Sequence, residues 1–381
     1  MSVPGDPIRL ESPIDVAAIA TPALLVDQDA LDRNLVKMAD FATAKSIGLR
    51  PHTKTHKSPF LARRQIDLGA VGVCAAKVSE AEVLVSAGIA AVLITSPVVT
   101  PEKIERVVSL AAHSDRLQIV VDQADGAGAL DQAARARGLT IGVVVDLDPG
   151  IRRTGIAPGE PALRLVEAIQ EMPGLRFDGL QAYAGHVMHV EGWEARRARS
   201  REALAACIET KHLVESAGHE VAIFTGGGTG TFDIDCGSDA DRRELTDLQV
   251  GSYLFMDVEY QQTGGPDGDV FDAFEPALFV LTTAISQPVA ELITVDAGYK
   301  SLATDTVKPR LRRHPEITYN WGGDEHGILK LDEPPGLRLG DKCELVVPHC
   351  DPTVNLYDYY HPYRDGKVSE LWPVSGRGKS Q

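Results

Sequence analysis

Between residues 48 and 253, short apolar, β-branched runs alternate with longer stretches of helical periodicity. Such runs predict buried strands, because parallel strands covered on both faces are apolar throughout. The predicted strands are Gly48–His52, Val71–Ala75, Ala91–Thr95, Leu117–Asp122, Gly142–Leu147, Asp178–Tyr183, Val221–Thr225 and Leu248–Tyr253, with helices such as Ser79–Ala87, Pro101–Ala112 and Trp193–Ser216 between them. This alternation predicts an α/β protein with a parallel (β/α)8 TIM barrel. A doubly wound sheet is the competing fold, but no GxGxxG motif follows the first strand.

The pattern changes after residue 265, where strands separated by Gly, Pro and Asp replace the alternation and predict a second, C-terminal β domain. The strands are Phe279–Ile285, Glu291–Asp296, Lys342–Val347 and Val368–Pro373. Ala23–Val26 is also strand-like and precedes the first barrel helix, Asp29–Lys45, so we expect it to join the β domain. The predicted domains are a barrel over residues 28–265 and a β domain formed by residues 1–27 and 266–381.

Composition excludes several classes of partner. The formal net charge of −16 argues against nucleic-acid binding, since phosphate contacts need a basic face. No apolar run approaches the roughly 18 residues of a membrane span. The N-terminal segment lacks the charged and apolar regions of a signal peptide, and the five scattered cysteines have no CxxC spacing. We therefore expect a cytoplasmic protein with free thiols and without nucleic-acid or membrane partners.

A basic motif, Arg50-Pro51-His52-Thr53-Lys54-Thr55-His56-Lys57, ends the first predicted strand. Catalytic groups of a β/α barrel gather at the carboxyl ends of its strands. A Lys in a partly desolvated cavity there can lose its proton and form a Schiff base with an aldehyde. Solvated lysines in a turn are the alternative. Spacing alone leaves open whether Lys54 or Lys57 faces inward, because residues three apart lie on opposite faces of an extended segment.

Further polar groups follow strands five to eight of the predicted barrel. The glycine-rich segment Thr225–Thr231 follows strand seven, where barrels commonly bind phosphate through backbone N–H groups. A flexible loop is the alternative interpretation of that segment. For the other polar groups, the alternative is that their side chains are solvated or structural. These others are Arg152 and Arg153 after strand five, Tyr183, His186 and His189 after strand six, and Gly251, Ser252 and Tyr253 after strand eight. A phosphate site beside a Lys and a cluster of His and Arg indicates a phosphorylated aldehyde, pyridoxal phosphate.

A second motif, Pro348-His349-Cys350-Asp351-Pro352-Thr353, lies near the end of the chain. On an extended segment His349 and Asp351 would point to the same side, because side chains alternate with a period of two. One imidazole nitrogen and one carboxylate oxygen make half a site for Mn²⁺, Mg²⁺ or Zn²⁺. Cys350 should face away, so we do not expect it to be a ligand. A surface turn before a Pro is the alternative.

These motifs make the chain similar to the fold-type III pyridoxal-phosphate enzymes, which share an alanine racemase-like barrel and a C-terminal β domain. It most resembles the D-threonine aldolase and 3-hydroxy-D-aspartate aldolase branch, to which D-serine dehydratase is closely related. The resemblance extends from Thr21-Pro22 to Ser375-Gly376-Arg377-Gly378. It implies that Lys54 carries the Schiff base and that Arg153 faces the pyridine nitrogen.

The remaining site residues implied by the resemblance bind phosphate, metal or substrate. Dehydratases carry Cys as the second metal ligand, whereas Asp351 is a harder ligand that suits Mn²⁺ or Mg²⁺, with Zn²⁺ as the alternative. The residues are Gly227, Gly228, Thr229, Gly251, Ser252 and Tyr253 for the phosphate group, Tyr183 and His189 as catalytic residues (Tyr183 also contacting the cofactor), and His349 and Asp351 for the metal. The pattern assigns no role to His186 or to Asp324-Glu325-His326-Gly327.

The resemblance implies a retro-aldol cleavage of D-β-hydroxy-α-amino acids to glycine and an aldehyde. The metal would bind the β-hydroxyl group, and His189 would take its proton as a general base. Threonine, phenylserine and hydroxyaspartate remain candidate substrates, and the resemblance indicates a homodimer. The alternatives are a D-serine dehydratase-like ammonia-lyase, a racemase, and, in a different class, a pyridoxal-phosphate carrier without activity. A plain metal-dependent hydrolase would leave the phosphate loop unexplained.

Overall fold

The computed structural model describes residues 4–236, 244–331 and 337–381. In chain order its strands are β1 (Ile8–Asp15), β2 (Ala23–Asp27), β3 (Gly48–Leu49), β4 (Val73–Ala75), β5 (Val92–Ile94), β6 (Gln118–Val121), β7 (Ile141–Asp146), β8 (Leu175–Ala182), β9 (Ile223–Gly226), β10 (Asp247–Leu248), β11 (Leu278–Val289), β12 (Leu292–Val295), β13 (Arg310–Leu311), β14 (Thr318–Trp321), β15 (Gly327–Lys330), β16 (Lys342–Val346), β17 (Tyr359–Arg364) and β18 (Lys367–Pro373). Its helices are α1 (Gln28–Lys45), α2 (Pro59–Asp67), α3 (Val78–Ser86), α4 (Pro101–Ala111), α5 (Ala124–Ala136), α6 (Glu160–Gln170), α7 (Trp193–Ser216), α8 (Phe232–Asp235), α9 (Val258–Gln261) and α10 (Cys350–Val354).

The chain forms two compact units, a barrel unit and a β unit. The barrel unit consists of Met38–Lys54, Leu61–Gly251 and Lys379–Gln381. The β unit consists of Met1–Lys37, Thr55–Phe60 and Ser252–Gly378. Among the described residues, no helix is both long enough and apolar enough to cross a lipid bilayer.

The barrel unit contains a parallel sheet that closes on itself. In the described residues its eight strands follow the order β3-β10-β9-β8-β7-β6-β5-β4. The two ends of this order meet where His52 forms a parallel bridge with Cys74, and the Cys74 N–H donates to the Pro51 carbonyl at 2.8 Å. The predicted eight-stranded parallel barrel is therefore confirmed.

Apolar side chains of neighbouring strands build the barrel core. Cys74, Leu93, Val120 and Val144 come from β4, β5, β6 and β7 and form one fully buried cluster. All six residues of β7 are buried, as expected for a parallel strand covered on both faces. Burial of such side chains contributes roughly 1.5–3 kcal/mol each to stability.

The eighth barrel strand is shorter than the sequence pattern predicts. The predicted strand Leu248–Tyr253 is wrong beyond its first residue, since β10 comprises only Asp247–Leu248. Ser252–Leu254 instead form a 3₁₀ turn, in which the Ser252 carbonyl accepts from the Met256 N–H at 2.7 Å. Apolar residues that are buried in a turn have the same local pattern as a short buried strand.

The β unit contains a mixed sheet that joins both ends of the chain. Its main path runs β1-β18-β17-β2-β11-β12-β15-β14, while β16 pairs with β11 and β13. The expectation that Ala23–Val26 joins the C-terminal strands is confirmed, because β2 pairs antiparallel with β11 and parallel with β17. Leu25, Phe279, Leu281, Val346 and Val368 belong to the buried core of this sheet.

Candidate active site

A cavity of about 400 Å³ lies at the carboxyl ends of the barrel strands. Its position is the edge where catalytic groups of β/α barrels gather, and its volume is typical of small-molecule sites. The lining residues in the barrel unit are His52, Lys54, Ala76, Lys77, Thr95, Ser96, Pro97, Arg153, Thr154, Gln181, Tyr183 and Gln249.

Lys54 lies in a 3₁₀ turn, Thr53–Thr55, that directly follows the first barrel strand. Its N–H donates to Nδ1 of His52 at 3.3 Å, and Nε2 of His52 lies 3.1 Å from the Thr95 hydroxyl. The Thr53 hydroxyl donates to the Cys74 carbonyl at 2.8 Å. These hydrogen bonds fix the backbone of Lys54 against the neighbouring strands.

Lys57, the second lysine of the basic motif, is located differently. It adopts the left-handed conformation with φ of 49°, and its carbonyl accepts from the Gly376 N–H at 2.8 Å within the β unit. Lys54 belongs to the lining of the described cavity, and Lys57 does not. Geometry thus separates two lysines that sequence spacing left equivalent.

Arg153 and Tyr183 lie together on the cavity wall. The guanidinium carbon of Arg153 is 5.8 Å from the centroid of the Tyr183 ring, within the range of a cation–π contact. The loop that carries Arg153 is held by carboxylates: Asp148 accepts from the N–H groups of Gly150 and Arg152, each at 2.9 Å. An arginine is permanently charged, so this wall carries a fixed positive charge.

A chain of hydrogen bonds connects residues of the cavity lining to Asp146. Gln249 donates to the side-chain carbonyl of Gln181 at 2.9 Å, and Gln181 donates to Asp146 at 2.8 Å. The Thr154 hydroxyl also donates to Asp146 at 2.8 Å. Burial raises the pKa of Asp146 to about 6, although the hydrogen bonds from Gln181 and Thr154 act to lower it.

The residues predicted to bind phosphate divide between the two units. Gly227, Gly228 and Thr229 follow β9 in the barrel unit, where all three are buried and Gly227 has a φ of 65° that favours glycine. Gly251 ends the same unit. In the β unit, Ser252 and Tyr253 are buried in their 3₁₀ turn, and the Tyr253 ring meets Phe274 edge-on at 5.6 Å.

His186 and His189 lie in the turn after β8, and both are exposed. Neither belongs to the lining of the described cavity, whereas Tyr183 of the same segment does. The base predicted for the reaction is therefore located on an exposed turn beside the cavity-lining strand end.

The predicted metal ligands belong to the β unit. The expected extended segment is wrong: His349 is extended, but Asp351 lies in the first turn of α10. The imidazole Nδ1 of His349 is 2.8 Å from Asp305 and 4.0 Å from Glu259. Burial acts to lower the pKa of His349, but the carboxylates of Asp351, Asp257 and Asp305 raise it above its ordinary value.

These groups do not form a preformed metal centre. Across residues 4–236, 244–331 and 337–381, no three His, Cys, Asp or Glu side chains converge as a metal-binding group. The chemistry of the donors nevertheless fits a hard divalent cation, since one imidazole lies among carboxylates. Cys350 is fully buried, and burial raises the pKa of its thiol well above the ordinary value, so the thiol is a poor ligand here.

Sequence reasoning missed several groups that the structure brings to the two sites. His52 and Gln249 line the cavity and Asp305 faces His349, yet none of them was given a role. His52 could have been found from its position two residues before Lys54 at a strand end. Asp305 lies 44 residues from His349 in the chain, and no local pattern links the two.

The segment Asp324-Glu325-His326-Gly327, which had no predicted role, lies at the connection of β14 and β15. Lys300 donates to Glu325 at 2.6 Å, and the His326 carbonyl accepts from the Gly322 N–H at 2.9 Å. These contacts stabilise a hairpin connection and supply no cavity residue in the described part of the chain.

Comparisons with known proteins agree with this geometry. Residues 26–257 match the family described as "Alanine racemase, N-terminal domain", and residues 277–363 match "Putative serine dehydratase domain". The chain is 38% identical to 3-hydroxy-D-aspartate aldolase of Paracoccus denitrificans (strain Pd 1222), over 96% of this chain and 94% of the relative. It is 37% identical to D-threonine aldolase of Arthrobacter sp., over 99% and 96%.

A solved structure extends this likeness to three dimensions. The crystal structure of D-threonine aldolase from Filomicrobium marinum has a TM-score of 0.92 at 41% identity, and the match covers 98% of this chain and 100% of that chain. Fold and cavity thus define an alanine racemase-like, fold-type III pyridoxal-phosphate enzyme. Within that class, the chain belongs to the family of D-threonine aldolase and 3-hydroxy-D-aspartate aldolase.

The residues on the cavity fit pyridoxal phosphate. Lys54, Arg153 and Tyr183 supply an amine, a fixed cation and an aromatic ring to the same cavity. A buried, glycine-rich loop follows β9, at the topological position where barrels bind phosphate. The donor set therefore provides both an attachment point for an aldehyde and a site for its phosphate group.

Proposed function

We propose that this protein is a pyridoxal-phosphate- and divalent-metal-dependent aldolase that cleaves D-β-hydroxy-α-amino acids to glycine and an aldehyde. One observation carries the proposal: Lys54, Arg153 and Tyr183 line a single cavity in a chain whose aldolase relatives match over nearly its whole length. The candidate substrates are D-threonine, D-phenylserine and 3-hydroxy-D-aspartate.

Three groups of residues would hold the cofactor. Lys54 would attach it covalently, and Arg153 would donate to its ring nitrogen and keep that nitrogen an acceptor. The phosphate group would be bound by Gly227, Gly228, Thr229, Gly251, Ser252 and Tyr253. When bound, pyridoxal phosphate supplies an electron sink for the bond that breaks at the substrate Cα.

His349 and Asp351 would hold the divalent cation. A ligating histidine usually donates its second ring N–H to a carboxylate, and Asp305 at 2.8 Å from Nδ1 supplies that partner and leaves Nε2 for the metal. The carboxylate-rich surroundings favour Mn²⁺ or Mg²⁺, with Zn²⁺ as the alternative. The cation supplies Lewis acidity at the β-hydroxyl oxygen of the substrate.

His189 would act as the general base in the cleavage. Breaking the Cα–Cβ bond requires that the β-hydroxyl proton leaves as the aldehyde carbonyl forms, and a neutral imidazole can accept that proton. Tyr183, which shares the segment after β8 with His189, would contact both cofactor and substrate. Its cation–π contact with Arg153 supports such a location.

A D-serine dehydratase-like ammonia-lyase is the second candidate, because residues 277–363 match a serine dehydratase domain family. Asp351 argues for the aldolase, since the dehydratases resemble this motif but carry Cys at the second ligand position. A carrier without activity would share the lysine and the phosphate loop, but it would have no use for the His349 and Asp351 pair.

Incubation with single amino acids tests the proposal. Purified protein loaded with pyridoxal phosphate and Mn²⁺ is given D-threonine, L-threonine or D-serine, and the released aldehyde is followed with a coupled alcohol dehydrogenase. We expect acetaldehyde from D-threonine and none from the L-isomer. Pyruvate from D-serine as the main product would favour the dehydratase, and absence of any turnover would favour the carrier.

Two further properties rest on the resemblance and on composition. We expect a homodimer, which light scattering of the purified protein can measure. The five cysteines are all buried and unpaired with one another, which is typical of a reducing compartment such as the cytoplasm. Fractionation of cells that produce the protein tests that location.

A further inference from the structure

We propose that Arg196 is a positioning residue that fixes the phosphate loop and the histidine turn relative to each other. The phosphate loop is defined as Gly226–Thr231 and the histidine turn as residues 185–190. The proposal deepens the proposed function and rests on it for the roles of the two segments. All residues involved belong to the barrel unit.

Arg196 occupies the first turn of α7 and is fully buried, with 0% of its surface exposed. Its Nε donates to the Gly230 carbonyl at 2.7 Å, and its Nη1 donates to the Val190 carbonyl at 2.8 Å. One acceptor, Gly230, lies in the phosphate loop, and the other, Val190, directly follows His189. Burying a guanidinium group is costly unless its N–H groups are hydrogen-bonded. These two carbonyls accept such bonds and so offset part of the cost of burying the Arg196 charge.

The two segments that Arg196 links are also in direct contact. A Cβ at Gly230 would lie 2.1 Å from the Met188 carbonyl oxygen, and a Cβ at Gly228 would lie 2.8 Å from the Met188 sulfur. The Thr231 hydroxyl oxygen lies 3.6 Å from that sulfur. Because no free space separates the segments, a displacement of one displaces the other.

A second polar contact from α7 supports only the phosphate side. The Ser200 hydroxyl donates to Asp235 at 2.6 Å, and the Thr231 hydroxyl donates to the other oxygen of the same carboxylate. Ser200 lies one turn beyond Arg196 on the same helix, and in the described part of the chain its hydroxyl bonds Asp235 and not the histidine turn. It therefore provides a matched control for Arg196.

The geometry of arginine is essential to this role. A guanidinium group presents N–H donors in a rigid fork and can reach two carbonyls in different directions, whereas an ammonium group is a single point donor. Arg196→Lys keeps the charge and loses the fork. We expect this variant to loosen both segments and to raise the dissociation constant of pyridoxal phosphate. It should also lower kcat by on the order of ten- to a hundredfold, because small misplacements of catalytic groups have effects of this size.

Hydrogen exchange measured by mass spectrometry on the apoenzyme tests the link without any catalytic assay. Arg196→Lys should accelerate exchange in peptides covering residues 185–192 and 226–231, and leave peptides of β5 and β6 unchanged. Ser200→Ala should accelerate exchange only in the phosphate loop. Thr210→Val should change exchange in neither peptide. It removes a buried hydroxyl farther along α7 that bonds the Ala206 carbonyl and the Gly159 N–H.

Pyridoxal-phosphate titration and a double mutant complete the test. Arg196→Lys should weaken cofactor binding in the wild-type and His189→Ala backgrounds alike, and should lower kcat only when His189 is present. Acceleration in one of the two peptides alone, or uniform acceleration across the barrel, would overturn the proposal. If Arg196→Lys does not fold, Gly230→Ala is the second variant. Its added Cβ would displace the Met188 carbonyl from the phosphate loop and should accelerate exchange in the same two peptides. Absence of aldolase activity in the wild type would refute the proposed function and leave the exchange result interpretable.

Discussion

Lys54 is the residue on which the cofactor assignment depends, and its surroundings hold it rigidly. Its backbone N–H donates to His52, whose ring in turn meets Thr95 on the next strand but one. These bonds hold the backbone from which the Lys54 side chain extends, which favours a defined attachment geometry. Lys57, three residues later, does not line the described cavity.

Chemical trapping distinguishes the two lysines. Borohydride reduction of the cofactor-loaded protein, followed by peptide mapping, should place the pyridoxyl group on Lys54. Lys54→Ala should abolish the adduct, whereas Lys57→Ala should retain it. Recovery of the pyridoxyl group on Lys57 would refute the assignment of Lys54.

His189 provides a second prediction at the residue scale. A positioned general base typically contributes about 10²–10⁴-fold to rate. His189→Ala should therefore lower kcat for aldehyde release by roughly that factor, with the cofactor spectrum unchanged. His186→Ala, the matched change three residues earlier in the same exposed turn, should have a much smaller effect. Near-wild-type turnover in His189→Ala would mean that another group takes the proton.

At the scale of elements, the hydrogen-bonded chain from the cavity lining to Asp146 joins three barrel strands or their ends. Asp146 ends β7, Gln181 belongs to β8, and Gln249 follows β10. The folded state holds the Asp146 carboxyl protonated to a higher pH than the unfolded chain does, since burial raises its pKa from 3.8 to about 6. The folded state is therefore destabilised progressively as the pH rises from 3.8 to about 6, and the full effect remains above that range.

Asp146→Asn removes this ionisation; its amide oxygen can still accept from Gln181, and its NH2 can donate to the Thr154 hydroxyl, which reverses that bond. At pH 8 we expect the free energy of unfolding to rise by at most about 3 kcal/mol relative to the wild type, because one pKa unit corresponds to about 1.4 kcal/mol. The gain should shrink toward pH 4.5. Urea unfolding at both pH values measures it, with Asp125→Asn as the control for loss of an exposed carboxyl on α5. A gain that is equal at both pH values would contradict the role of ionisation.

The barrel strands were predictable because each is a short apolar run, and predicted and observed bounds differ by few residues at β4, β5, β6 and β7. Their carboxyl ends carry Lys54, Arg153 and Tyr183, which periodicity and topology could locate together. The strands β1, β13, β14, β15 and β17 were not predicted. β13, β14 and β15 have only two to four residues, β1 is largely exposed, and β17 contains a proline, which is uncommon within strands. His349 and Asp351 were predicted as a pair on a strand, but Pro352 in the first turn of α10 allows a helix to begin there.

At the scale of the whole molecule, Lys54, Arg153 and the glycine-rich loop after β9 belong to the barrel unit, whereas the proposed metal ligands belong to the β unit. Sequence separation explains why only part of the metal surroundings was predictable: Asp305 and Glu259 reach His349 from distant segments through tertiary structure. The same acidic surroundings should favour cation binding, since carboxylates attract a divalent ion and hard oxygen donors suit Mn²⁺ and Mg²⁺.

Chelation tests this division of roles. A site with only two protein ligands leaves positions for water and substrate and should exchange its metal readily. Treatment with EDTA should abolish turnover of D-threonine and leave the absorbance of bound cofactor unchanged, and Mn²⁺ should restore activity. Mn²⁺ should not restore activity to the His349→Ala variant. Full activity after exhaustive chelation would contradict a metal-dependent reaction.

Product stoichiometry shows which bond of the substrate this protein breaks. Proton NMR of D-threonine turned over by the holoenzyme should show one glycine and one acetaldehyde for each D-threonine consumed, which only cleavage of the Cα–Cβ bond produces. Formation of 2-oxobutanoate and ammonia, or of a threonine epimer without glycine, would contradict the aldolase account.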